Sequence, residues 1–336
     1  MKKNTIFRIL GLIVIGVIAV LVYRDYKFNN ISSDPFNMNI AINKDYKDIS
    51  VIGEVLYYRD KNTLYGVYEK KDGNEVLFSR DLGDDVQNII YDKYIYIVRS
   101  NGIELLKRNN GKTERVLENI ENLSFAEKHG NYIFGYTDKR AYVWSLDLKN
   151  ENKMLFDQTP AKFRKQDDLY SAILIGSNAG TMKTRYQVFE NDTNIYDIAS
   201  VDEAFLYSDF IDVNKHIVVT NRYVYLFEKD RLIKKVFITN PIAIDSGYGK
   251  IAVVDYNSLK VFNNNLELED NITINFDVDK VKIRNNSITV IGDRNIGVYE
   301  NKNLVEMSIG EYQSIAINDF GTYIIFDNRI EKVKSY

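Results

Sequence analysis

A strand pattern that returns about every 38 residues limits what this chain can fold into. Short stretches in which apolar and polar residues alternate fill the sequence from about residue 38 to its end, and none of them indicates a long helix. Successive starts of the most apolar stretches lie 35 to 44 residues apart. Regular spacing of this kind predicts a repeat architecture. The most apolar stretches begin at Val55, Tyr94, Tyr132, Ala172, His216, Ile251, Ile288 and Tyr323.

Each repeat contains more than one strand. After the most apolar stretch comes a second strand and a polar turn into a third, as in LLKRNNGKTERVL from Leu105. Asp, Asn and Gly fill these turns because they tolerate the left-handed backbone of a tight hairpin. A further apolar stretch often precedes the unit, as in SIAIN from Ser314. The repeat is therefore predicted to be a four-stranded antiparallel meander.

Four-stranded units of this length predict an all-β fold, a β-propeller of eight blades, with seven as the alternative. The turn from Asn109 to Lys112 resembles the hairpin of quinoprotein-type repeats. Over residues 38–336 the chain resembles the WD40-like and quinoprotein-like propeller superfamily, and it is similar to membrane-anchored bacterial propellers of uncharacterised function. The Trp-Asp, Gly-His and Gly-Gly signatures of WD40 and kelch repeats are absent. A pair of sandwiches or a β-solenoid is the alternative fold.

The N-terminus predicts a membrane anchor. Lys2, Lys3 and Arg8 precede an uncharged run over residues 9–23, in which eleven of fifteen residues are Ile, Leu or Val. Such a run inserts favourably into a bilayer, and the preceding cations keep the short tail in the cytoplasm. We therefore expect a cytoplasmic tail (1–8), a transmembrane signal-anchor (9–23), a linker (24–37) and an extracytoplasmic propeller (38–336), which makes a single-pass cell-membrane protein.

Two other interpretations of the anchor remain open. A cleaved signal peptide would have a similarly short apolar region, but no small-residue cleavage pattern follows this one. A buried core helix would carry its apolar residues on one face, whereas here they occur all round.

The chain ends predict how the ring closes. The last unit shows only three strands before Tyr336, and residues 38–44 alternate like a strand. We expect Met38–Lys44 to pair with Arg329–Ser335 as the outer strand of the last blade, which removes an exposed sheet edge. The linker would then enter at the end of the propeller opposite the loop from Gly176 to Thr181, and this loop would face away from the membrane.

Composition excludes several function classes. The net charge of −3 offers no basic field for a nucleic acid, and the absence of cysteine excludes disulfides, thiol catalysis and Cys-ligated metals. His129 and His216 are the only histidines, and their spacing does not place them on a shared loop. Acidic turns such as the one around Asp84 lack the third ligand of a calcium loop. We predict no metal site and no cofactor.

The fourth unit is the best candidate for a binding site because it has the longest separation, 44 residues. A basic stretch and a Gly-containing loop coincide there, which indicates contact with an anion or an acidic polymer, although longer solvated loops would explain the same pattern. The five cations are expected to gather at one end of the propeller. The candidate binding residues are Lys162, Arg164, Lys165, Gly176, Asn178, Gly180, Lys183 and Arg185.

These observations favour a binding or scaffold module for a protein or a cell-envelope polymer over an enzyme. The alternative is a hydrolase or lyase that acts on envelope glycans with Asp or Glu pairs in the central funnel. A quinone-dependent dehydrogenase is a weaker choice, since Trp144 is the only tryptophan. Carboxylates that converge in the funnel with perturbed pKa values would favour the enzyme, whereas an apolar or Tyr- and Asn-lined funnel would favour the scaffold.

Overall fold

The computed structural model describes residues 31–36, 42–70, 73–178, 181–200, 202–285, 287–318 and 321–335. Every regular element in these ranges is a β-strand, and they contain no helix that could span a membrane. The predicted anchor, residues 9–23, lies outside them. The strands form eight four-stranded antiparallel sheets, so the described part of the chain is an eight-bladed propeller, as the repeat spacing predicts.

The strands are numbered in chain order, and the blades follow the chain from the first complete sheet. Blades 1 to 4 contain β2 (Lys47–Ile52), β3 (Val55–Asp60), β4 (Thr63–Lys70), β5 (Gly73–Asp81); β6 (Asn88–Tyr91), β7 (Tyr94–Arg99), β8 (Gly102–Lys107), β9 (Thr113–Leu117); β10 (Phe125–His129), β11 (Tyr132–Tyr136), β12 (Arg140–Ser145), β13 (Glu151–Leu155); β14 (Thr159–Gln166), β15 (Leu169–Asn178), β16 (Thr181–Glu190) and β17 (Thr193–Ala199). Blades 5 to 8 contain β18 (Phe205–Phe210), β19 (Lys215–Thr220), β20 (Tyr223–Glu228), β21 (Arg231–Phe237); β22 (Pro241–Gly247), β23 (Lys250–Asp255), β24 (Ser258–Asn263), β25 (Leu268–Thr273); β26 (Lys280–Arg284), β27 (Ser287–Ile291), β28 (Asn295–Glu300), β29 (Asn303–Ser308); β30 (Ser314–Asn318), β31 (Gly321–Ile325), β32 (Ile330–Ser335) and β1 (Ile31–Phe36).

The first strand of each blade is the innermost, because the first strands of neighbouring blades contact one another around the central channel. We call the four strands a to d from the inside outward. The turns between b and c and the connections from d to the next a share one end of the molecule, the d–a face. The turns between a and b and between c and d share the opposite end, the a–b face. The most apolar stretches of the sequence are the b strands, which are buried between neighbouring sheets.

The ring closes through the two chain ends, but not with the predicted segment. Strand β1 pairs with β32 in antiparallel register from Ile31 opposite Ser335 to Phe36 opposite Ile330. The prediction that Met38–Lys44 is the closing strand is therefore wrong, and the propeller begins within the predicted linker. The alternation of MNIAINK was misleading because an outermost strand is bonded through its backbone on one side only. Such a strand needs no apolar alternation and tolerates Pro35.

The core is divided among the blade interfaces. Eight clusters of buried apolar side chains lie between neighbouring blades, one at each interface of the ring. The cluster between blades 2 and 3 includes the fully buried Trp144, whose ring stacks on Tyr142 with the ring centroids 5.2 Å apart. Since every blade depends on two neighbours for burial, the ring is expected to behave as one unit.

Candidate functional site

Charged side chains converge in the central channel. The inner strands of blades 3 to 7 surround a cavity of about 290 Å³ there. Three neighbouring inner strands, β14, β18 and β22, carry a β-bulge near their start, which adds a residue and turns the strand. The cavity is lined by Glu127, Lys128, His129, Lys162, Arg164, Tyr207, Ala243, Ile244, Asp245, Asp279, Lys280, Val281 and Lys282.

Arg164 and Glu127 form a hydrogen-bonded ion pair in the channel. Nη1 of Arg164 donates to Oε1 of Glu127 at 2.8 Å, and the Arg164 side chain is 3% exposed. Nζ of Lys162 and the hydroxyl of Tyr136 also donate to this carboxylate. Burial alone would raise the pKa of Glu127, but the charge of Arg164, followed by that of Lys162, lowers it to about 2. Glu127 is therefore ionised at neutral pH.

A second network surrounds Asp209 on the inner strand of blade 5. Its Oδ1 lies 2.8 Å from Nε2 of His129, and its Oδ2 accepts hydrogen bonds from Ser246 at 2.5 Å and from Tyr207 at 3.3 Å. Burial opposes the charge of Asp209, but the hydrogen bond and charge of His129, followed by the charge of Arg164, lower its pKa. Polar side chains thus join four inner strands, β10, β14, β18 and β22.

The third group joins blades 6 and 7. Asp245 accepts a hydrogen bond from Nζ of Lys282 at 3.2 Å and from the backbone N–H of Ile283 at 2.8 Å. Lys280, the first residue of β26, lines the same cavity. The strands around Lys280 partly desolvate its ammonium group and Lys282 repels it, so its pKa is lowered.

This arrangement keeps the carboxylates of Glu127 and Asp209 ionised, which does not suit general acid catalysis. A general acid needs a pKa near the working pH, whereas the pKa values of Glu127 and Asp209 are both lowered, away from neutral pH. In the described ranges, no group of three or more His, Asp or Glu side chains could hold a metal ion. The other histidine, His216, is fully buried, and its ring stacks on Phe227 at a centroid distance of 5.2 Å. It belongs to the core rather than to the channel.

The basic stretch of the fourth unit belongs to the inner strand of blade 4. Lys162 and Arg164 lie on β14 and face the channel. Lys165, near the end of β14, bonds the backbone O of Asp167 at 2.6 Å and the hydroxyl of Tyr170 at 2.9 Å, which places it at the a–b face. A strand with three cations is hard to recognise from sequence because it has no apolar alternation.

The predicted loop residues lie at the opposite end of blade 4. Gly176 is paired with Lys183 in the b–c hairpin at the d–a face, and a Cβ at Gly176 would come within 2.6 Å of the Gln158 amide. Lys183 is exposed, whereas Arg185 bonds Asp157 and Asp197. The strand β15 ends at Asn178, and Gly180 lies outside the described residues. The expectation that the five cations gather at one end is therefore wrong, and a binding role for each residue stays a prediction.

Apolar side chains are exposed around the d–a face. The bulges of β18 and β22 leave Leu206 and Ile242 out of register, and both are exposed at the start of their inner strands. Phe125 is exposed at the start of β10, Phe237 at the end of β21, and Tyr256 in the b–c turn of blade 6. We call these five residues, Phe125, Leu206, Phe237, Ile242 and Tyr256, the apolar rim.

Sequence reasoning missed most of the channel residues, although a signal for them exists. Glu127 and Arg164 are 37 positions apart, and so are Asp245 and Lys282. This spacing is close to the repeat period, so it brings polar residues of successive inner strands together. A search for charged residues that recur with the period would have found them.

Comparison with known proteins supports the fold. No protein-family model and no curated protein sequence matches this chain. Among solved structures, the crystal structure of Saccharomyces cerevisiae Sqt1 is similar with a TM-score of 0.58 at 7% identity, covering 92% of this chain and 99% of that one. The C-terminal WD40 domain of Sif2 gives a TM-score of 0.59 at 10% identity, covering 89% and 99%. BamB from Moraxella catarrhalis gives 0.55 at 10% identity, covering 91% and 98%. The resemblance to WD40-like and quinoprotein-like propellers is thus confirmed at the level of the fold.

Proposed function

We propose that this chain is a binding module, a membrane-anchored extracytoplasmic propeller that holds a protein partner on its d–a face. The observation that carries the proposal is the apolar rim, in which Phe237 is 63% exposed and Tyr256 is 68% exposed. Exposed apolar groups around the mouth of a cavity are typical of interaction surfaces, and aromatic residues are enriched at the centres of protein interfaces.

The nature of the rim favours a protein over a cell-envelope polymer. A charged polymer would be held mainly by cations, and the described structure spreads the cations of blade 4 over both ends of the blade. Arg185 is engaged by Asp157 and Asp197, which leaves Lys183 as an exposed cation next to Met182 on the d–a face. An apolar contact with an acidic residue at its edge fits a protein surface.

The entry of the chain supports the orientation. Ile31 is opposite Ser335, so β1 begins at the a–b face and runs toward the d–a face. An anchor over residues 9–23 would leave residues 24–30 as the tether, which spans at most about 23 Å at ~3.3 Å per residue. The a–b face would therefore lie near the membrane, and the apolar rim would point away from it.

Photocrosslinking tests the docking surface with the full-length protein in its native membrane. A photoreactive amino acid replaces Tyr256 on the rim, and the matched control replaces Tyr248, which is 61% exposed in the a–b turn of the same blade. We expect a discrete protein adduct from position 256 that disappears when Phe237→Asp is added, and no such adduct from position 248. A heterogeneous polymer adduct, or equal adducts at both positions, would overturn the proposed partner or surface.

The topology has its own test because the natural chain contains no cysteine. We expect a membrane-impermeant maleimide to label Tyr256→Cys in intact cells whose outer layers it can pass. An added cysteine at Lys3 should react only after lysis. The opposite result would place the propeller in the cytoplasm.

A further inference from the structure

Within the channel, one lysine is left without a carboxylate. The carboxylates of Glu127, Asp209 and Asp245 are each engaged by at least two donors. Lys282 bonds Asp245, and Lys162 bonds Glu127. Lys280 forms no hydrogen bond or ion pair with any residue in the described part of the chain, although it lines the cavity.

The formal charges in and beside the cavity balance, but they are not all paired. Apart from Lys128, which bonds Asp92 of blade 2 at 3.3 Å, the lining has four cations: Lys162, Arg164, Lys280 and Lys282. Glu127, Asp245 and Asp279 line the same cavity, and Asp209 lies 4.0 Å from Arg164. Lys280 is therefore the cation of this group that no carboxylate of the described residues contacts directly.

The lysines also destabilise one another. Burial and the charge of Arg164 lower the pKa of Lys162, and Lys282 repels both Lys162 and Lys280. An anion among these three ammonium groups would relieve the repulsion and accept hydrogen bonds from them. A lysine is a point charge with three donors, so it suits an oxyanion without demanding a planar shape.

We propose that the central channel binds a small free oxyanion, with a carboxylate or a phosphate group, beside Lys280. Lys282 completes the site from the same strand as Lys280, and Lys162 completes it from the inner strand of blade 4. The volume of about 290 Å³ admits a molecule of a few heavy atoms with its water, but not a folded polymer. Lys280 is the first residue of β26, so the site lies at the d–a face beside the apolar rim. Binding of a small anion is measured without a protein partner, so it does not depend on the proposed docking of a protein.

Calorimetry with inorganic phosphate and with succinate tests the proposal on the full-length protein in detergent. We expect saturable one-to-one binding of at least one probe, weakened tenfold or more by Lys280→Met. The matched control is Lys302→Met, an exposed lysine in the c–d turn of the same blade, which should leave the affinity unchanged. Equal loss in both variants, or no saturable binding of either probe, would overturn the site.

Proton linkage provides a second measurement that nonspecific charge attraction would not reproduce. Because burial and the charge of Lys282 lower the pKa of Lys280, a bound anion should raise this pKa, and binding at alkaline pH should take up protons. The heat in two buffers of different ionisation enthalpy reports this uptake. Lys280→Arg should still bind, because its charge is kept, but with less uptake, since Arg does not titrate in this range. Unchanged uptake in Lys280→Arg would contradict the role of Lys280.

Discussion

Nη1 of Arg164 donates a 2.8 Å hydrogen bond to Oε1 of Glu127, and this bond joins the inner strands of blades 3 and 4 inside the channel. The guanidinium carbon also lies 5.4 Å from the centroid of the Phe134 ring. Arg164 thus combines packing with charge at one blade interface.

Arg164→Met should strongly destabilise the propeller. Removal of one partner leaves Glu127 partly buried without its main counter-charge, which costs about 3–5 kcal/mol in comparable buried pairs. The double variant Arg164→Met with Glu127→Gln should recover part of that loss. Urea unfolding measures both. The control is Arg185→Met, whose partners Asp157 and Asp197 are more exposed, so the loss should be less than about 1 kcal/mol. Equal losses in the two single variants would contradict this account.

The channel shows where sequence reasoning succeeds and where it stops. The b strands were recognisable because burial between two sheets demands continuous apolar residues, as in HIVVT from His216. Strand β14 was not, because an inner strand faces the channel and can carry Lys162 and Arg164. Convergence of residues from five blades is a property of the closed ring, which no single stretch of sequence displays.

Stability should fall in acid because of His216. Burial lowers the pKa of His216 to about 3 in the folded protein, whereas the unfolded chain titrates near 6.5. The unfolded state therefore binds the extra proton between these values, and stability is lost as the pH falls below about 6.5. The loss from this residue amounts to about 3 kcal/mol at pH 4.

His216→Phe isolates that contribution. The variant should have a shallower decline in the free energy of unfolding between pH 7 and pH 4, whatever its stability at pH 8. Glu127, whose pKa is also lowered, loses its stabilising charge in the more acidic part of the range and should do so equally in both proteins. Parallel curves for the two proteins would show that His216 does not titrate as described.

Gly135 should not tolerate even a methyl group. A Cβ there would lie 2.5 Å from Cζ3 of Trp144, whose ring is fully buried against Tyr142. Gly135→Ala should therefore cost about 1–3 kcal/mol through overpacking. Gly297→Ala is the control, because its Cβ would meet a flexible Leu304 methyl at 3.1 Å. Thermal unfolding should rank Gly135→Ala below Gly297→Ala, and the reverse order would contradict the packing described.

Loss of the closing strands should weaken the whole ring. Truncation after Ile330 removes most of β32, which leaves β1 without a partner and exposes β31. We expect the thermal midpoint of the full-length protein to fall by about 10 °C or more in a single transition. An unchanged midpoint, or a separate early transition confined to one blade, would show that closure does not couple the blades.

The closing ladder also determines how the molecule bears a load. A partner held on the d–a face and a tether that leaves from Ile31 at the a–b face would pull in opposite directions along the axis of β1. The backbone hydrogen bonds of an antiparallel pair are perpendicular to the strands, so this pull shears all six paired positions together instead of peeling them apart one by one. The seam between β1 and β32 is thus oriented to resist tension along the strand and to yield to a sideways pull.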